Sequence, residues 1–302
     1  MKTFYLWQIV KLARMPIVLA VIPLFLIGVL FAWRTGAKFS VSNFLWGFSI
    51  LFLIEIAASF ANDYFDYHAD KHNRQFGFSG GSGVLLEHPE LLPFAKWASI
   101  FMFMLSLVLT SFFIVVASLP LWVFAYIGVA VFFCWFYTAP PLRLVYRGLG
   151  EIPHMLAGVM FPGWGYLILT GTLTPDLVLF AIPFGFLGLT VILNFEIPDR
   201  EADIHGGKRN LIVMKGRYFS FAVIMTLYLA AFLFLLALSF TSWFHTTINL
   251  WVITLLAFLP LAVSVVPVIK KIVDRQRATK YAIRNAIVGF LTVILITLVL
   301  SI

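Results

Sequence analysis

The chain has 302 residues, of which 62% are hydrophobic and 11% are charged, and its mean hydropathy is +1.01. This composition excludes a soluble globular domain with a polar surface. The net charge of +8 requires no nucleic acid as a partner, because basic residues at the ends of membrane helices would lie among anionic lipid headgroups. We therefore predict an integral membrane protein with membrane lipid among its partners.

Apolar runs close to or above the roughly 18–20 residues that cross a bilayer as a helix recur along the chain. They do not alternate polar and apolar residues over short segments, as the strands of a membrane barrel would. We predict an all-α fold, a single domain over residues 1–302 with nine transmembrane helices. The predicted spans are 15–33, 41–61, 97–118, 119–139, 148–171, 173–195, 218–240, 246–269 and 279–302.

The basic residues predict the orientation of these spans, because cytoplasmic loops retain Lys and Arg. Of the 21 Lys and Arg residues, all except Arg34 and Lys38 lie in the loops and helix ends on one side of the predicted spans. That side includes the N-terminal tail. We therefore expect the N-terminus to be cytoplasmic and the C-terminus to be outside.

The first acidic motif follows the second apolar run. Asp63, Asp66 and Asp70 are spaced i, i+3 and i+7, which places three carboxylates within roughly 60° on one face of a helix. Asn62 lies about one turn before Asp66 and adds an amide oxygen. Mg²⁺ binds through one or two carboxylates and completes its shell with water and phosphate. The motif predicts a metal site, and a solvated helix end is the alternative.

A glycine-rich segment, Gly77 to Gly83, follows the first motif. Its backbone amides could cradle phosphate, or it could form a mobile cap, and it lacks the Lys-Ser/Thr ending of a P-loop. Two further acids lie in apolar surroundings, Glu55 inside the second span and Glu151 at the start of the fifth. Each is either functional or a structural acid with a polar partner.

The second acidic motif follows the sixth apolar run and repeats the spacing of the first. It consists of Glu196, Asp199 and Asp203. Pro198 suits the first turn of a helix, so we expect a new helix to begin there. Capping of that helix would explain one acid but not several. Lys208 and Arg209 follow and could hold phosphate oxygens, although cytoplasmic charge retention alone would also place them there. Two facing motifs suggest a diphosphate held through magnesium.

Together the motifs resemble those of the UbiA-type intramembrane prenyltransferase superfamily, with Asn62-Asp63-x-x-Asp66-x-x-x-Asp70 and Asp199-x-x-x-Asp203 at the ends of even-numbered spans. The resemblance covers essentially the whole chain. It implies a helical bundle around a cavity, magnesium-dependent binding of a polyprenyl diphosphate, and transfer of the prenyl group to an acceptor. The residues implied to be catalytic and to hold the metal are Asp66, Asp70, Asp199 and Asp203. Those implied to bind substrate include Asn62, Asp63, Lys208 and Arg209.

The connection between the fourth and fifth spans points to an aromatic acceptor. Its sequence Y-T-A-P-P-L-R-L-V-Y-R-G-L-G-E, together with S-G-G-S-G-V-L at 79–85, resembles the branch that prenylates 1,4-dihydroxy-2-naphthoate in menaquinone biosynthesis. The resemblance implies a catalytic role for Tyr137, the first residue of the connection. Hydroxybenzoate-type relatives often carry Lys where this chain has Pro141, so Arg143 or Arg147 is expected to supply that cation to the substrate.

Other functions remain as alternatives. The acceptor could be 4-hydroxybenzoate or a glycerophosphate lipid. An ion-coupled transporter would carry its acids near the membrane midplane at broken helices, whereas nearly all the acids here lie at one face. A CDP-alcohol phosphotransferase also uses clustered Asp, but its D-G-x-x-A-R signature is absent from the sequence.

Overall fold

The computed structural model describes residues 2–72, 79–241 and 248–302, with side chains from residue 5 onward. Within these ranges the protein consists of helices and connections, without a β-strand. The α-helices are α1 (Lys2–Leu12), α2 (Met15–Ala20), α3 (Ile22–Arg34), α4 (Val41–Phe65), α5 (Tyr67–Asp70), α6 (Val84–Glu87), α7 (Leu92–Val116), α8 (Trp122–Phe136), α9 (Glu151–Thr170), α10 (Pro175–Gly206), α11 (Leu211–Ser239), α12 (Leu250–Ile269) and α13 (Arg275–Ser301), and short 3₁₀ helices cover Pro89–Leu91 and Leu144–Arg147.

In the described ranges, eight helical segments are long and apolar enough to cross a membrane. They correspond to eight of the predicted spans, and the all-α prediction is confirmed. The remaining prediction, 119–139, corresponds to α8, which has only 15 residues. That is shorter than the roughly 18–20 residues needed to cross a bilayer. The count of nine spans is therefore not confirmed.

The chain forms two compact units that alternate along the sequence. The first unit comprises Met1–Ala20, Val41–Gly150 and Glu201–Arg209. The second comprises Val21–Ser40, Glu151–Arg200 and Asn210–Ile302. The boundary at 200/201 falls inside α10, so the two acids Asp199 and Asp203 of one motif belong to different units. A single domain over residues 1–302 stays a prediction.

In the first unit, apolar packing fixes the segments that carry the first acidic motif. Helix α4 packs along α7 and also contacts α8. Phe60, two residues before Asn62, is buried in a cluster with side chains from α1, α6 and α7. Val84 and Leu85, directly after the glycine-rich segment, lie in the same cluster. A Cβ on Gly206 would lie 2.7 Å from the Cβ of Ala69, so the end of α10 packs closely on α5.

In the second unit, α3 and α9 approach each other at the level of their backbones. A Cβ on Gly28 would overlap the carbonyl oxygen of Pro162, and one on Gly165 would overlap that of Phe25. Small residues allow this approach between membrane helices. Helices α11, α12 and α13 complete the unit, with Phe221 and other apolar side chains fully buried in its core.

Helix α10 is continuous through Pro198, so the prediction that a new helix begins there is wrong. Proline removes the backbone N–H that would bond the carbonyl one turn earlier, a loss that membrane helices tolerate. Here Arg217 Nε donates to the carbonyl of Ile197 at 3.0 Å. Arg275 Nε donates to the carbonyl of Pro198 at 3.2 Å. These two contacts connect α11 and the start of α13 to α10 beside the proline. The whole second motif lies on one helix.

Candidate active site

The first acidic motif lies at the point where α4 ends. Helix α4 stops at Phe65, and Asp66 precedes the short α5 with φ −89° and ψ 0°. The expectation of one uninterrupted helical face is therefore wrong in this detail. The N–H of Asp66 still donates to the carbonyl of Asn62 at 2.9 Å, and that of Asp70 to Asp66 at 2.8 Å. The backbone therefore keeps a helical turn through Asp66, and the charges of Asp63 and Asp66 act on Asp70.

Asp63 is held by the glycine-rich segment. The backbone N–H of Ser82 donates to Asp63 Oδ2 at 3.0 Å, and the Ser82 hydroxyl donates to the same oxygen. Gly81 has φ +79°, and a Cβ there would lie 2.7 Å from Asp70 Oδ2 and 3.3 Å from Asp63 Oδ1. The part of the segment that the structure describes therefore lies against the first motif. Gly77 and Phe78 lie outside the described residues.

Lys208 joins the first motif to Asp203 of the second. Its Nζ lies 2.8 Å from Asp66 Oδ2 and 3.4 Å from Asp203 Oδ1. The side chain of Lys208 is 15% exposed, and those of the two acids are 9% exposed. Burial alone would lower the pKa of Lys208, but the carboxylates of Asp66, Asp203 and Asp70 raise it well above its usual value. The ammonium group therefore stays charged between the two acids.

The other oxygen of Asp66 accepts a hydrogen bond from Tyr146. The two oxygens are 2.8 Å apart, and the guanidinium of Arg143 lies 3.9 Å from the centroid of the Tyr146 ring. Burial, followed by the charge of Asp66, raises the pKa of Tyr146 above its usual value, so the hydroxyl keeps its proton. Tyr146 is not among the site residues predicted from the sequence. Its only signal was its position between two candidate arginines.

Arg14 is a second residue near the acids that is not among those predicted from the sequence. It lies between α1 and α2 with a left-handed backbone conformation, φ 51°. Its charge interacts with Asp63 and Asp70. A left-handed conformation is uncommon for a residue other than glycine and often accompanies a functional role. The sequence offered no signal beyond a basic residue near a predicted span, because the contact depends on how α1 packs in the first unit.

The surroundings of Asp70 disfavour its ionised form. Burial, followed by the charge of Asp66, raises the pKa of Asp70 to about 8, although Lys208 and Arg14 act in the opposite direction. A raised carboxyl pKa means that the protein stabilises the ionised carboxylate less well than water does. An additional cation beside Asp70 would stabilise the ionised carboxylate.

These residues fit a magnesium ion. Carboxylate oxygens are hard ligands, and the bridging ammonium of Lys208 shows that positive charge is stable between Asp66 and Asp203. The absence of a side chain at Gly81 leaves room beside Asp70 Oδ2. Among the residues that the structure describes, no three His, Cys, Asp or Glu side chains form a ready metal site. The ion would therefore use few protein ligands, with water and phosphate oxygens completing its shell.

The connection between α8 and α9 is fixed against the first motif by hydrogen bonds within the first unit. Thr138 Oγ1 donates to Asn62 Oδ1 at 3.1 Å. The N–H of Val145 donates to the carbonyl of Tyr137 at 3.1 Å, and the carbonyl of Val145 accepts from the N–H of Arg209 at 3.1 Å. The predicted residues Asn62, Tyr137 and Arg209 therefore all lie along this connection or contact it.

The remaining predicted residues have different surroundings. Arg147 donates through Nη2 to the carbonyl of Pro141 at 2.8 Å, whereas Arg143 contacts Tyr146 and through it Asp66. Asp199 is buried on α10 in the second unit, one turn before Asp203. In the same unit, Glu151 Oε1 accepts from the N–H of Leu211 at 2.6 Å. That contact supports the structural alternative for Glu151.

The UbiA prenyltransferase family matches residues 20–294 of the chain. The chain belongs to this family. A curated relative, the 1,4-dihydroxy-2-naphthoate octaprenyltransferase of Haemophilus influenzae, is 31% identical over 173 residues. These residues make up 55% of this chain and 55% of the relative, so the match spans about half the length of that protein. The predicted family resemblance is confirmed.

Solved structures of UbiA-type proteins share the fold. A UbiA homolog from Archaeoglobus fulgidus bound to DMAPP and Mg²⁺ has a TM-score of 0.67 and 17% identity, with 98% of this chain and 99% of that chain covered. A digeranylgeranylglyceryl phosphate synthase structure has a TM-score of 0.69 and 16% identity, with 98% and 99% covered. At these identities the comparison establishes the helical fold.

Gly81→Ala is expected to weaken the binding of Mn²⁺ with inorganic diphosphate by at least about tenfold. The added Cβ would lie 2.7 Å from Asp70 Oδ2, so the carboxylate or the glycine-rich segment must move. Isothermal titration of the purified protein would measure the affinity. Gly36→Ala is the control, because Gly36 also has a positive φ, +100°, and a Cβ there would meet nothing within 4 Å. Equal affinities in both variants would contradict the prediction.

Proposed function

We propose that this protein transfers a polyprenyl group from a polyprenyl diphosphate to an aromatic acceptor, 1,4-dihydroxy-2-naphthoate. The observation that supports this most strongly is the buried arrangement of Asp66, Lys208 and Asp203. It combines acids from both motifs with a cation in a mostly apolar helical unit. Such a site suits a ligand with a charged diphosphate and a long apolar chain, which is the chemistry of a polyprenyl diphosphate.

The proposed reaction breaks the bond between the allylic carbon and the diphosphate oxygen, and the electron pair leaves with diphosphate. Magnesium, when bound by Asp66, Asp70, Asp199 and Asp203, would neutralise part of the charge on that leaving group. The side chains of Lys208 and Arg14 supply further positive charge for the same purpose. We assign the same role to Arg209, the residue after Lys208. Apolar side chains of the helices would exclude water from the allylic cation.

The acceptor ring then supplies the electrons for the new bond. The ring carbon that bears the carboxylate attacks the allylic carbon. The carboxylate then leaves as carbon dioxide, and the electron pair of the broken bond returns to the ring. The choice of this acceptor rests on the naphthoate relative and on the sequence of the connection between α8 and α9. Arg143, exposed and stacked on Tyr146, is the cation we assign to the acceptor carboxylate.

Reconstituted protein, magnesium, a labelled polyprenyl diphosphate and a panel of acceptors would test this function. We expect prenylated product from dihydroxynaphthoate in preference to 4-hydroxybenzoate, loss of product with a chelator, and recovery when magnesium is added. Product only from 4-hydroxybenzoate or from a glycerophosphate would refute the acceptor. Absence of prenyl transfer to any acceptor, with diphosphate still bound, would refute the reaction.

Arg143→Ala is expected to lower kcat/KM for the acceptor by about tenfold or more, because a hydrogen bond to a charged group is lost. The control is Lys71→Ala, an exposed lysine whose Nζ lies 4.6 Å from the Tyr67 ring centroid. Initial rates at varied acceptor concentration would compare the two. If Lys71→Ala impairs the acceptor step as strongly as Arg143→Ala, the assignment of Arg143 is wrong.

We also propose that the N-terminus and the active site are cytoplasmic and that the C-terminus is outside, as the distribution of Lys and Arg indicates. Cysteines introduced singly at the exposed positions Glu90 and His205, in a Cys134→Ala background, should react with impermeant reagent from the cytoplasmic face. Cysteines at the exposed positions Thr35 and Thr172 should react from the other face. If the cysteines introduced at Glu90 and at Thr35 reacted from the same face of the membrane, this topology would be contradicted.

A further inference from the structure

Both carboxylate oxygens of Asp66 have a defined partner. Oδ1 accepts from the Tyr146 hydroxyl at 2.8 Å, and Oδ2 lies 2.8 Å from Lys208 Nζ. Two partners on opposite oxygens restrict rotation of the carboxylate about its side-chain torsions. The direction of this carboxylate is therefore set by two residues remote from it in sequence.

The spacing of these two partners is itself fixed by the backbone. The carbonyl of Val145, the residue before Tyr146, accepts from the N–H of Arg209, the residue after Lys208, at 3.1 Å. Val145 and its neighbour Leu144 are buried, which anchors the 3₁₀ helix Leu144–Arg147 that carries Tyr146. The hydroxyl and the ammonium are thus presented to Asp66 from two segments that are hydrogen-bonded to each other.

The same tyrosine also contacts the residue that we assign to the acceptor. The guanidinium of Arg143 lies 3.9 Å from the centroid of the Tyr146 ring, a distance typical of a cation–π contact. One face of the ring therefore meets Arg143, while its hydroxyl meets Asp66. Tyr146 is positioned to connect the acceptor side of the site with the diphosphate side.

We propose that Tyr146 is a positioning residue that orients Asp66 for magnesium and diphosphate and couples this orientation to Arg143 in the acceptor connection. The coupling to the acceptor rests on the proposed function, whereas the orientation of Asp66 does not. Loss of the hydroxyl would leave Oδ1 without its donor and allow the carboxylate to rotate about the remaining contact with Lys208.

Tyr146→Phe tests the proposal, because the ring and the backbone contact between Val145 and Arg209 would remain. We expect the affinity for Mn²⁺ with inorganic diphosphate to fall by about tenfold, and kcat/KM by about 10- to 100-fold, as for loss of a hydrogen bond to a charged group. The magnesium concentration for half-maximal turnover should rise in parallel. Isothermal titration measures the first quantity without requiring turnover.

A double variant distinguishes positioning from a general structural role. If Tyr146 acts through Asp66, adding Tyr146→Phe to Asp66→Asn should change the Mn²⁺ and diphosphate affinity by less than about twofold. Tyr281→Phe is the matched control, because the Arg284 guanidinium lies 4.6 Å from its ring centroid on α13 of the second unit. It should bind as the unmodified protein does.

The proposal would be overturned if Tyr146→Phe bound Mn²⁺ and diphosphate with unchanged affinity. It would also be overturned if Tyr146→Phe and Tyr281→Phe lost this affinity to the same extent. The proposal would also be overturned if the losses of binding free energy in Tyr146→Phe and Asp66→Asn added fully in the double variant, since the tyrosine would then act independently of Asp66. Failure of the unmodified protein to prenylate any acceptor would refute the proposed function instead. The binding measurements would still decide whether Tyr146 orients Asp66.

Discussion

Asp66→Asn and Asp203→Asn are each expected to lower kcat by about 10²–10³-fold, the effect of losing one preorganised electrostatic contact in an active site. Both carboxylates lie within reach of Lys208 Nζ, at 2.8 and 3.4 Å, and both are buried. An amide keeps the shape of the side chain but removes the negative charge that would hold a cation beside the departing diphosphate. The fold should persist, because Lys208 retains one carboxylate partner in either variant.

Single-turnover rates with labelled polyprenyl diphosphate, compared at equal amounts of folded protein, would measure this effect. We expect the same direction for Asp70→Asn and Asp199→Asn, which complete the predicted catalytic and metal-binding set. Glu90→Gln is the control, because Glu90 is an exposed acid paired with His88 at 3.2 Å. Near-normal rates in any two of the four aspartate variants would refute the assignment of the site.

The acids of the site could be predicted from the sequence because their chemistry conflicts with their surroundings. Asp66 and Asp203 each follow a long apolar run, where an unpaired carboxylate is costly. A regular spacing of such residues is visible without any tertiary information. The long apolar helices were predictable for the same reason, since span length depends on local composition.

The partners of those acids could not be predicted, because they are set by tertiary contacts between distant segments. Tyr146 is 80 positions from Asp66, and Ser82 is 19 positions from Asp63. The only local signal of Tyr146 is its position between Arg143 and Arg147, which does not indicate a contact with Asp66. Its role depends on the packing that brings the connection between α8 and α9 to the end of α4.

Two helix boundaries in the structure differ from those predicted from the sequence. Pro198 was predicted to begin a helix from its own conformational preference, but α10 continues through it from Pro175 to Gly206. Helix α8 was predicted as a full span from its apolar composition. In the structure it covers Trp122–Phe136, between Pro120 and the pair Pro140-Pro141.

Lys208→Met is expected to reduce both stability and turnover. Removing the ammonium leaves Asp66 and Asp203 close together and buried without their shared cation. Breaking a buried ion pair from one side costs about 3–5 kcal/mol, since an uncompensated charge remains. We therefore expect a lower midpoint of thermal unfolding in detergent with a chelator present. Lys71→Met, at an exposed lysine, should unfold at the temperature of the unmodified protein.

A second substitution separates the charge effect from the loss of side-chain packing. Asp66→Asn added to Lys208→Met should recover part of the lost stability, because a neutral amide needs no counter-ion. Added Mn²⁺ should stabilise Lys208→Met more than it stabilises the unmodified protein, since the ion can take over the compensating charge between the acids. Turnover should stay low in both variants, because neither restores the lysine cation beside the departing diphosphate. In the presence of chelator, Lys208→Met and the unmodified protein could instead have the same midpoint of thermal unfolding. That result would show that the Lys208 bridge between Asp66 and Asp203 does not stabilise the first unit, and the proposed charge balance of the site would be wrong.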